Sequence, residues 1–184
     1  TETLNQAGIR NIAVVRGYKK EMVNLPAIDY VDNEDYEATG EVSSLYTAIE
    51  FLSGSTVIAY GDILFRHHIL DQLMEAEGDI VLIADALWRE KDPDPKSRTR
   101  DLVSCNEAYD HSYHGNEAVR LVEIAHDISE ENIDGEWIGL AKLSEAGALK
   151  MREEMFKIEE DGQLQTASMV DLYERLSKAG VEIR

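Results

Sequence analysis

An aspartate directly after a buried apolar run is the residue of this sequence best placed for chemistry. The run Thr56-Val57-Ile58-Ala59-Tyr60 stops at Gly61 and Asp62. Buried strands of a parallel sheet read as continuous hydrophobic runs, and ligands collect at their carboxyl ends. Because a carboxylate beside a close-approach glycine suits a divalent cation that holds phosphate oxygens, Asp62 is predicted to bind such a cation. The alternative is that Gly61 and Asp62 form a turn and Asp62 caps the next helix.

The segment Gly40-Glu41-Val42-Ser43-Ser44 predicts the start of a helix shortly before the Asp62 strand. The first turn of a helix carries unpaired N–H groups and a partial positive charge, which suit a phosphate or the edge of a base. In a βαβ unit this turn and Asp62 lie at the same end of the sheet. The alternative is that Ser43 or Ser44 caps a helix that runs to about Leu52.

A third candidate site is the segment Gly135-Glu136-Trp137-Ile138-Gly139 at the start of a predicted strand. The carboxylate of Glu136 and the ring of Trp137, flanked by glycines, could bind a cationic group by charge and by cation–π contact. Burial of Trp137 in the core is the competing interpretation.

Positive charge is scarce, so Arg16, Lys19 and Lys20 after the first predicted strand are candidates to face an anionic ligand, although a solvated loop explains them as well. His67 and His68 follow Asp62 closely. Adjacent side chains on a helix point about 100° apart, so at most one of these histidines could join Asp62 at a metal.

The other histidines, His111, His114 and His126, lack the spacing of a zinc site. Cys105 is the single cysteine, which excludes an internal disulfide and fits a reducing compartment. Nothing near it in the sequence marks an activating partner, so it is predicted to be a small buried hydrophobe.

Alternating strands and helices are predicted around these residues, in a single domain covering residues 1–184. The apolar runs 101–105, 118–124 and 137–143 predict an antiparallel edge on a mixed sheet. The run Asp92-Pro93-Asp94-Pro95 predicts an extended, exposed loop. The predicted strands cover 11–15, 27–31, 56–60, 79–84, 101–105, 118–124, 137–143 and 181–184, and the predicted helices cover 44–52, 69–77, 144–156 and 166–178.

Charge and hydropathy exclude several classes of partner. The chain has 184 residues and a formal net charge of -19, which argues against nucleic acid and against an anionic membrane surface. No stretch approaches the roughly 20 apolar residues that span a bilayer, and the N-terminus lacks a signal-peptide pattern. A cytoplasmic protein is predicted.

Taken in order, five segments resemble the nucleotidyltransferases that join a nucleoside triphosphate to a sugar phosphate, phosphocholine or 2-aminoethylphosphonate. The closest resemblance is to cytidylyltransferases acting on 2-aminoethylphosphonate or phosphocholine, including those fused to phosphoenolpyruvate mutase; it rests mainly on residues 60–65 and on Glu136 with Trp137. The matching segments are Ala7-Gly8-Ile9, Asn11 to Tyr18, Asn33 to Tyr46, Tyr60-Gly61-Asp62 and Gly135 to Gly139.

The resemblance implies an α/β fold, a three-layer αβα, Rossmann-like, mixed and mostly parallel sheet of GT-A-like architecture. It also implies attack of a phosphate or phosphonate oxygen on the α-phosphorus of CTP, with Mg²⁺ on Asp62 and with Glu136 and Trp137 at a substrate ammonium. Fusion to, or contact with, a phosphoenolpyruvate mutase domain is a further implied partner. The residues that it places at the nucleotide are Gly17, Gly40, Glu41, Ser43, Ser44 and Gly61.

Two parts of the family pattern have no counterpart in this sequence: the glycine-rich phosphate loop and the second metal-binding carboxylate. The chain is therefore expected to be the middle of a longer enzyme, truncated at both ends, with little or no catalysis alone. A metal-dependent glycosyltransferase of similar fold and a non-catalytic nucleotide-binding domain remain alternatives.

Overall fold

The computed structural model describes residues 1–91, 99–109 and 119–184, with the side chain of residue 91 left aside. Short 3₁₀ turns lie at Lys20–Met22, Ile49–Phe51 and Glu130–Asn132. The strands are β1 (Ala13–Arg16), β2 (Asp29–Asp32), β3 (Thr56–Ala59), β4 (Ile80–Asp85), β5 (Leu102–Cys105), β6 (Leu121–Ala125) and β7 (Gly135–Leu143). The helices are α1 (Glu2–Gln6), α2 (Glu41–Thr47), α3 (His67–Glu75), α4 (Trp88–Lys91), α5 (Glu145–Glu160) and α6 (Met169–Lys178).

The long strand β7 lies at the centre of a five-stranded sheet. Ala141 of β7 pairs with Ile58 of β3 and with Leu82 of β4, so these two strands flank β7 and both run antiparallel to it. Along the first residues of β7, β5 takes the place of β3 while β4 remains the partner on the other side. Strand β5 pairs in turn with β6. Strands β1 and β2 form a separate parallel pair.

Helices cover both faces of the large sheet, which gives the three layers that the sequence predicts. On one face, α2, α5 and α6 pack their apolar side chains on β3, β4 and β7 in the larger core cluster. On the other face, Leu70 and Leu73 of α3, together with Leu4 of α1, cover Val81 and Leu140. The alternation of side chains along β3 and its extension sends Ile58 and Tyr60 to the α2 face and Val57 to the α3 face.

Helix α5 is held very close to the edge of β4. Ser144 is its N-cap, with Oγ accepting a hydrogen bond from Gly147 N at 3.0 Å and donating one to Asp79 Oδ1 at 2.8 Å. Gly147 is buried against the carbonyl of Asp79, and a Cβ built on Gly147 would lie 1.9 Å from that oxygen. The start of α5 therefore requires a residue without a side chain at this position.

The α5 and α6 helices are joined by a buried carboxylate. Glu154 of α5 is only 5% exposed, and it accepts hydrogen bonds from Arg175 of α6 at 2.7 Å and from Lys157 at 3.0 Å. Arg175 reaches further, to Asp161 at 2.9 Å and Gln163 at 3.2 Å. This group of charges ties the end of α5 to α6.

The mixed, three-layer α/β fold is confirmed, but the expectation of mostly parallel pairing is wrong in detail. β3 and β4 run in the same direction, as a βαβ crossover requires, yet β7 separates them and makes the pairings within the large sheet antiparallel. The run 137–143, expected at an antiparallel edge, is this central strand. Of the predicted strand 118–124, residues 121–124 belong to β6, which continues to Ala125, whereas residues 119 and 120 precede it without strand structure. Residue 118 and the proline run 92–95 lie outside the described residues.

No helix among the described residues combines the length and apolar character needed to cross a bilayer.

Candidate functional site

Asp62 lies in a turn just beyond the end of β3, where its side chain is exposed to solvent. Among the residues that the structure describes, its carboxylate takes part in no hydrogen bond and no ion pair. Nor does it cap α3, which begins at His67 with Arg66 as its N-cap. The turn that the sequence allowed is present, and the capping role is not.

Tyr60 connects Asp62 to the core. Its backbone N–H donates to the carbonyl of Gly139 in β7 at 2.9 Å, and its ring packs edge-on against Trp137 at a centroid distance of 5.2 Å. Gly139 has a φ of +79°, and a Cβ built on it would lie 2.5 Å from the Tyr60 ring. Gly139 thus provides both the left-handed conformation and the room that the tyrosine needs.

The charges of three carboxylates act on Tyr60. Burial raises the pKa of Tyr60, and the negative charges of Glu41, Asp101 and Asp62 raise that pKa further. Glu41 is the first residue of α2 and Asp101 precedes β5, so three separate elements converge here. The start of α2 and the turn after β3 are therefore close enough for charges on both to act on Tyr60.

Helix α2 begins earlier than predicted, because Gly40 and not a serine is its N-cap. Gly40 is fixed by a hydrogen bond from its N–H to the Gln165 carbonyl at 2.9 Å, and a Cβ on it would lie 2.7 Å from the Ala167 oxygen. The capping role expected of Ser43 or Ser44 is therefore wrong. Ser43 lies partly buried within the helix, and Ser44 has another partner.

That partner is Asn33, a buried residue that the sequence interpretation passed over. Its Nδ2 donates to Ser44 Oγ at 3.1 Å and to Thr39 Oγ1 at 3.0 Å, while its Oδ1 accepts from the Asp35 N–H at 3.0 Å. Asn33 therefore orders the loop that leads into α2. Its position could have indicated this role, because Asn33, like Asp62, is a polar residue just beyond the end of a strand.

Gly17 contacts the same loop. A Cβ built on Gly17 would lie 2.6 Å from the Tyr36 side chain, so packing explains this glycine, and a nucleotide contact there stays a prediction. Its neighbour Arg16 is bound to Asp32 at 2.8 Å and to the Val23 carbonyl at 2.9 Å. Lys20 contacts Asp32 at 3.3 Å. These two cations neutralise local carboxylates and are not free for an anionic ligand.

Glu136 and Trp137 are both buried at the start of β7. The carboxylate of Glu136 forms an ion pair with Arg100 at 2.8 Å, and the indole N–H of Trp137 donates to the Leu140 carbonyl at 3.0 Å. Trp137 packs between Tyr60 and Tyr173, whose rings are 5.2 and 5.1 Å away. The structure thus places Trp137 in the core, as the competing interpretation proposed. A contact of Glu136 with a substrate ammonium stays a prediction.

Asp62 can bind a metal ion, but the described residues contain no preformed cluster of metal-binding side chains. Within the described ranges, no group of three or more His, Cys, Asp and Glu side chains converges on one point. Mg²⁺ commonly keeps several waters and takes one or two carboxylates together with substrate phosphates. A single exposed and unpaired carboxylate at Asp62 fits that donor set when the ligand supplies the phosphates.

Within the described part of the chain, neither a histidine nor the cysteine contacts Asp62. His67 pairs with Asp71 on the surface of α3 at 3.0 Å, and His126 contacts Asp101 at 3.3 Å. His111 and His114 lie outside the described residues. Burial, followed by the nearby Asp134, raises the pKa of the Cys105 thiol to about 11, which agrees with the inert role predicted for it.

Comparison with known proteins finds similarity to nucleotidyltransferases. No family model matches the chain. The CTP:phosphoglutamine cytidylyltransferase of Campylobacter jejuni subsp. jejuni serotype O:2 is 29% identical over 98 residues, which cover 47% of this chain. The match spans 39% of the length of that curated relative.

Two solved structures share the fold over almost the whole chain. The inositol-1-phosphate CTP transferase from T. maritima has a TM-score of 0.71 at 17% identity, covering 99% of this chain and 68% of its own. The CTP:phosphocholine cytidylyltransferase from Streptococcus pneumoniae has a TM-score of 0.60 at 16% identity, covering 100% and 72%. The chain therefore has the nucleotidyltransferase fold, and the resemblance to that family, cytidylyltransferase-like, is confirmed.

Proposed function

We propose that this chain is part of a cytidylyltransferase that transfers CMP from CTP to a small phosphorylated or phosphonate acceptor. The observation that carries the proposal is the exposed carboxylate of Asp62 just beyond the end of β3, which has no partner among the described residues. The sequence match to a cytidylyltransferase supports the choice of CTP. 2-Aminoethylphosphonate and phosphocholine are the acceptors that we propose from the sequence resemblance.

In the proposed reaction, an acceptor oxygen attacks the α-phosphorus and forms a new P–O bond. The bond from the α-phosphorus to the bridging oxygen of the β-phosphate breaks, and pyrophosphate leaves with that electron pair. Mg²⁺ bound at Asp62 would neutralise charge on the α-phosphate. The protein's contribution is positioning, since transfer of this kind depends on alignment and on charge neutralisation.

Contacts with the base and ribose of the nucleotide are proposed for two segments near Asp62. The Gly40 to Ser44 segment and the Asn33 loop border the same region, and we propose that they contact the base and ribose. Fusion or contact with a phosphoenolpyruvate mutase domain and a cytoplasmic location are proposed from the sequence alone.

Calorimetry with CTP and Mg²⁺ tests the proposal, because the metal-binding role of Asp62 makes a sharp prediction. We expect the Asp62→Ala variant to bind Mg²⁺–CTP at least roughly tenfold more weakly than the native chain, the equivalent of about 1.4 kcal/mol. Asp71→Ala is the matched control, because Asp71 is also exposed and lies on α3 with only an exposed histidine as partner. Its affinity should equal that of the native chain.

Two other results would favour other functions. Binding of CTP that is independent of Mg²⁺ and of Asp62 would contradict the enzymatic role and favour a non-catalytic nucleotide-binding domain. Preference for a nucleotide sugar over CTP would favour a glycosyltransferase. Such enzymes commonly present two carboxylates one residue apart, whereas Asp62 is followed by Ile63 and Leu64.

A further inference from the structure

We propose that the Tyr60 hydroxyl donates a hydrogen bond to a phosphate oxygen of the bound nucleotide. This inference rests on the proposed function and adds a ligand-binding residue to the same site.

The ring of Tyr60 is held in one place by the sheet. It lies over Gly139, where a Cβ would come within 2.5 Å of Cδ2, and it meets the Trp137 ring at 62°. The backbone of Tyr60 is tied to the same residue through its hydrogen bond to the Gly139 carbonyl. A side chain fixed in this way loses little rotamer freedom when a ligand binds, which favours its use as a binding group.

The hydroxyl at the end of this ring has no protein partner among the described residues. Tyr60 is only partly buried, so a ligand in the region between Asp62 and Glu41 can reach the oxygen. Tyr173, on the other side of Trp137, provides the contrast. Its hydroxyl is also without a hydrogen bond in the described part of the chain, but it is fully buried and closed to any ligand.

The hydroxyl of Tyr60 and the carboxylates near it together determine which ligand can bind. A tyrosine hydroxyl is an ordinary hydrogen-bond donor at neutral pH, and among the described residues this one has no acceptor to which it is already committed. The same carboxylates repel a bare triphosphate. A nucleotide whose charge is partly neutralised by Mg²⁺ avoids that repulsion and brings phosphate oxygens beside the donor.

Tyr60→Phe tests the inference because phenylalanine keeps the ring on Gly139 and removes only the hydroxyl. We expect the variant to bind Mg²⁺–CTP roughly tenfold to a hundredfold more weakly, the effect of losing one hydrogen bond to a charged acceptor. The melting temperature should stay within the error of the native value. Tyr173→Phe is the matched control, and its affinity for Mg²⁺–CTP should be unchanged.

The outcomes separate this inference from the proposed function. If the native chain does not bind Mg²⁺–CTP, or if Asp62→Ala binds it equally well, the proposed function fails. If Asp62→Ala loses affinity while Tyr60→Phe retains it, only the role of the tyrosine hydroxyl is overturned. An equal loss of affinity in Tyr60→Phe and Tyr173→Phe also overturns that role, because it would report packing around Trp137.

Discussion

Replacing Gly147 by alanine is expected to destabilise the protein by roughly 3 kcal/mol, the upper range for overpacking of a well-packed site. In an ordinary helix the same change stabilises by about 1 kcal/mol, because glycine is a poor helix former. Here the new methyl group would lie 1.9 Å from the Asp79 oxygen and 2.7 Å from its carbonyl carbon. Both are backbone atoms, so relief of the contact requires α5 to move away from β4.

Urea unfolding of the native chain and the Gly147→Ala variant measures this effect. Gly61→Ala is the control for the unfolded-state effect of the substitution, since no atom lies within 4 Å of a Cβ built there and its φ is not in the left-handed region. We expect the control to change the free energy of unfolding by less than about 0.5 kcal/mol. A stabilised Gly147→Ala protein would show that α5 does not contact β4 as closely as described.

Removal of the Glu154 carboxylate is the second change expected to have a large effect. Glu154→Ala leaves Arg175 with Asp161 and Gln163 but without its buried partner, and it opens a space between α5 and α6. We expect a loss of about 2 kcal/mol at pH 7, below the 3–5 kcal/mol typical of a fully buried pair because Arg175 is partly exposed. Chemical denaturation gives the value directly.

The same residue predicts how stability depends on pH. Burial alone would raise the pKa of Glu154, but the hydrogen bonds from Arg175 and Lys157 outweigh burial and lower it. Its stabilising effect is therefore fully present above the unfolded pKa of about 4.3 and is lost as the pH falls through the lower, folded value. Glu154→Gln should flatten the fall in stability over this acidic range. Glu153→Gln, a change at an exposed neighbour, should leave the curve as it is in the native chain.

Sequence periodicity predicted most elements because each carries its own signal. The apolar stripe Met169, Leu172, Tyr173 and Leu176 is buried on α6, as its helical spacing indicates. The Asp62 position also followed from local pattern alone. The start of α2 did not, because Gly40 is fixed by Gln165 and Ala167, which lie far along the chain and leave no mark near residue 40.

Long-range pairing explains the remaining differences. The strand character of residues 135–143 is legible from their sequence, but their insertion between β3 and β4 depends on partners that no local pattern names. For the same reason, no local pattern predicts that Glu136 pairs with Arg100 or that the charge of Asp101 acts on Tyr60. Such distant neighbours determine whether a polar side chain is paired within the protein or available to bind a ligand.

The central position of β7 also bears on how the chain folds during synthesis. Strands β3 and β4 are made early, yet neither gains its shared neighbour until residue 143 has left the ribosome. Such late, distant contacts slow folding and leave strand edges open in the meantime. A nascent chain that stops short of β7 would therefore hold β3, and Asp62 just beyond it, without the strand that pairs with β3 in the folded chain.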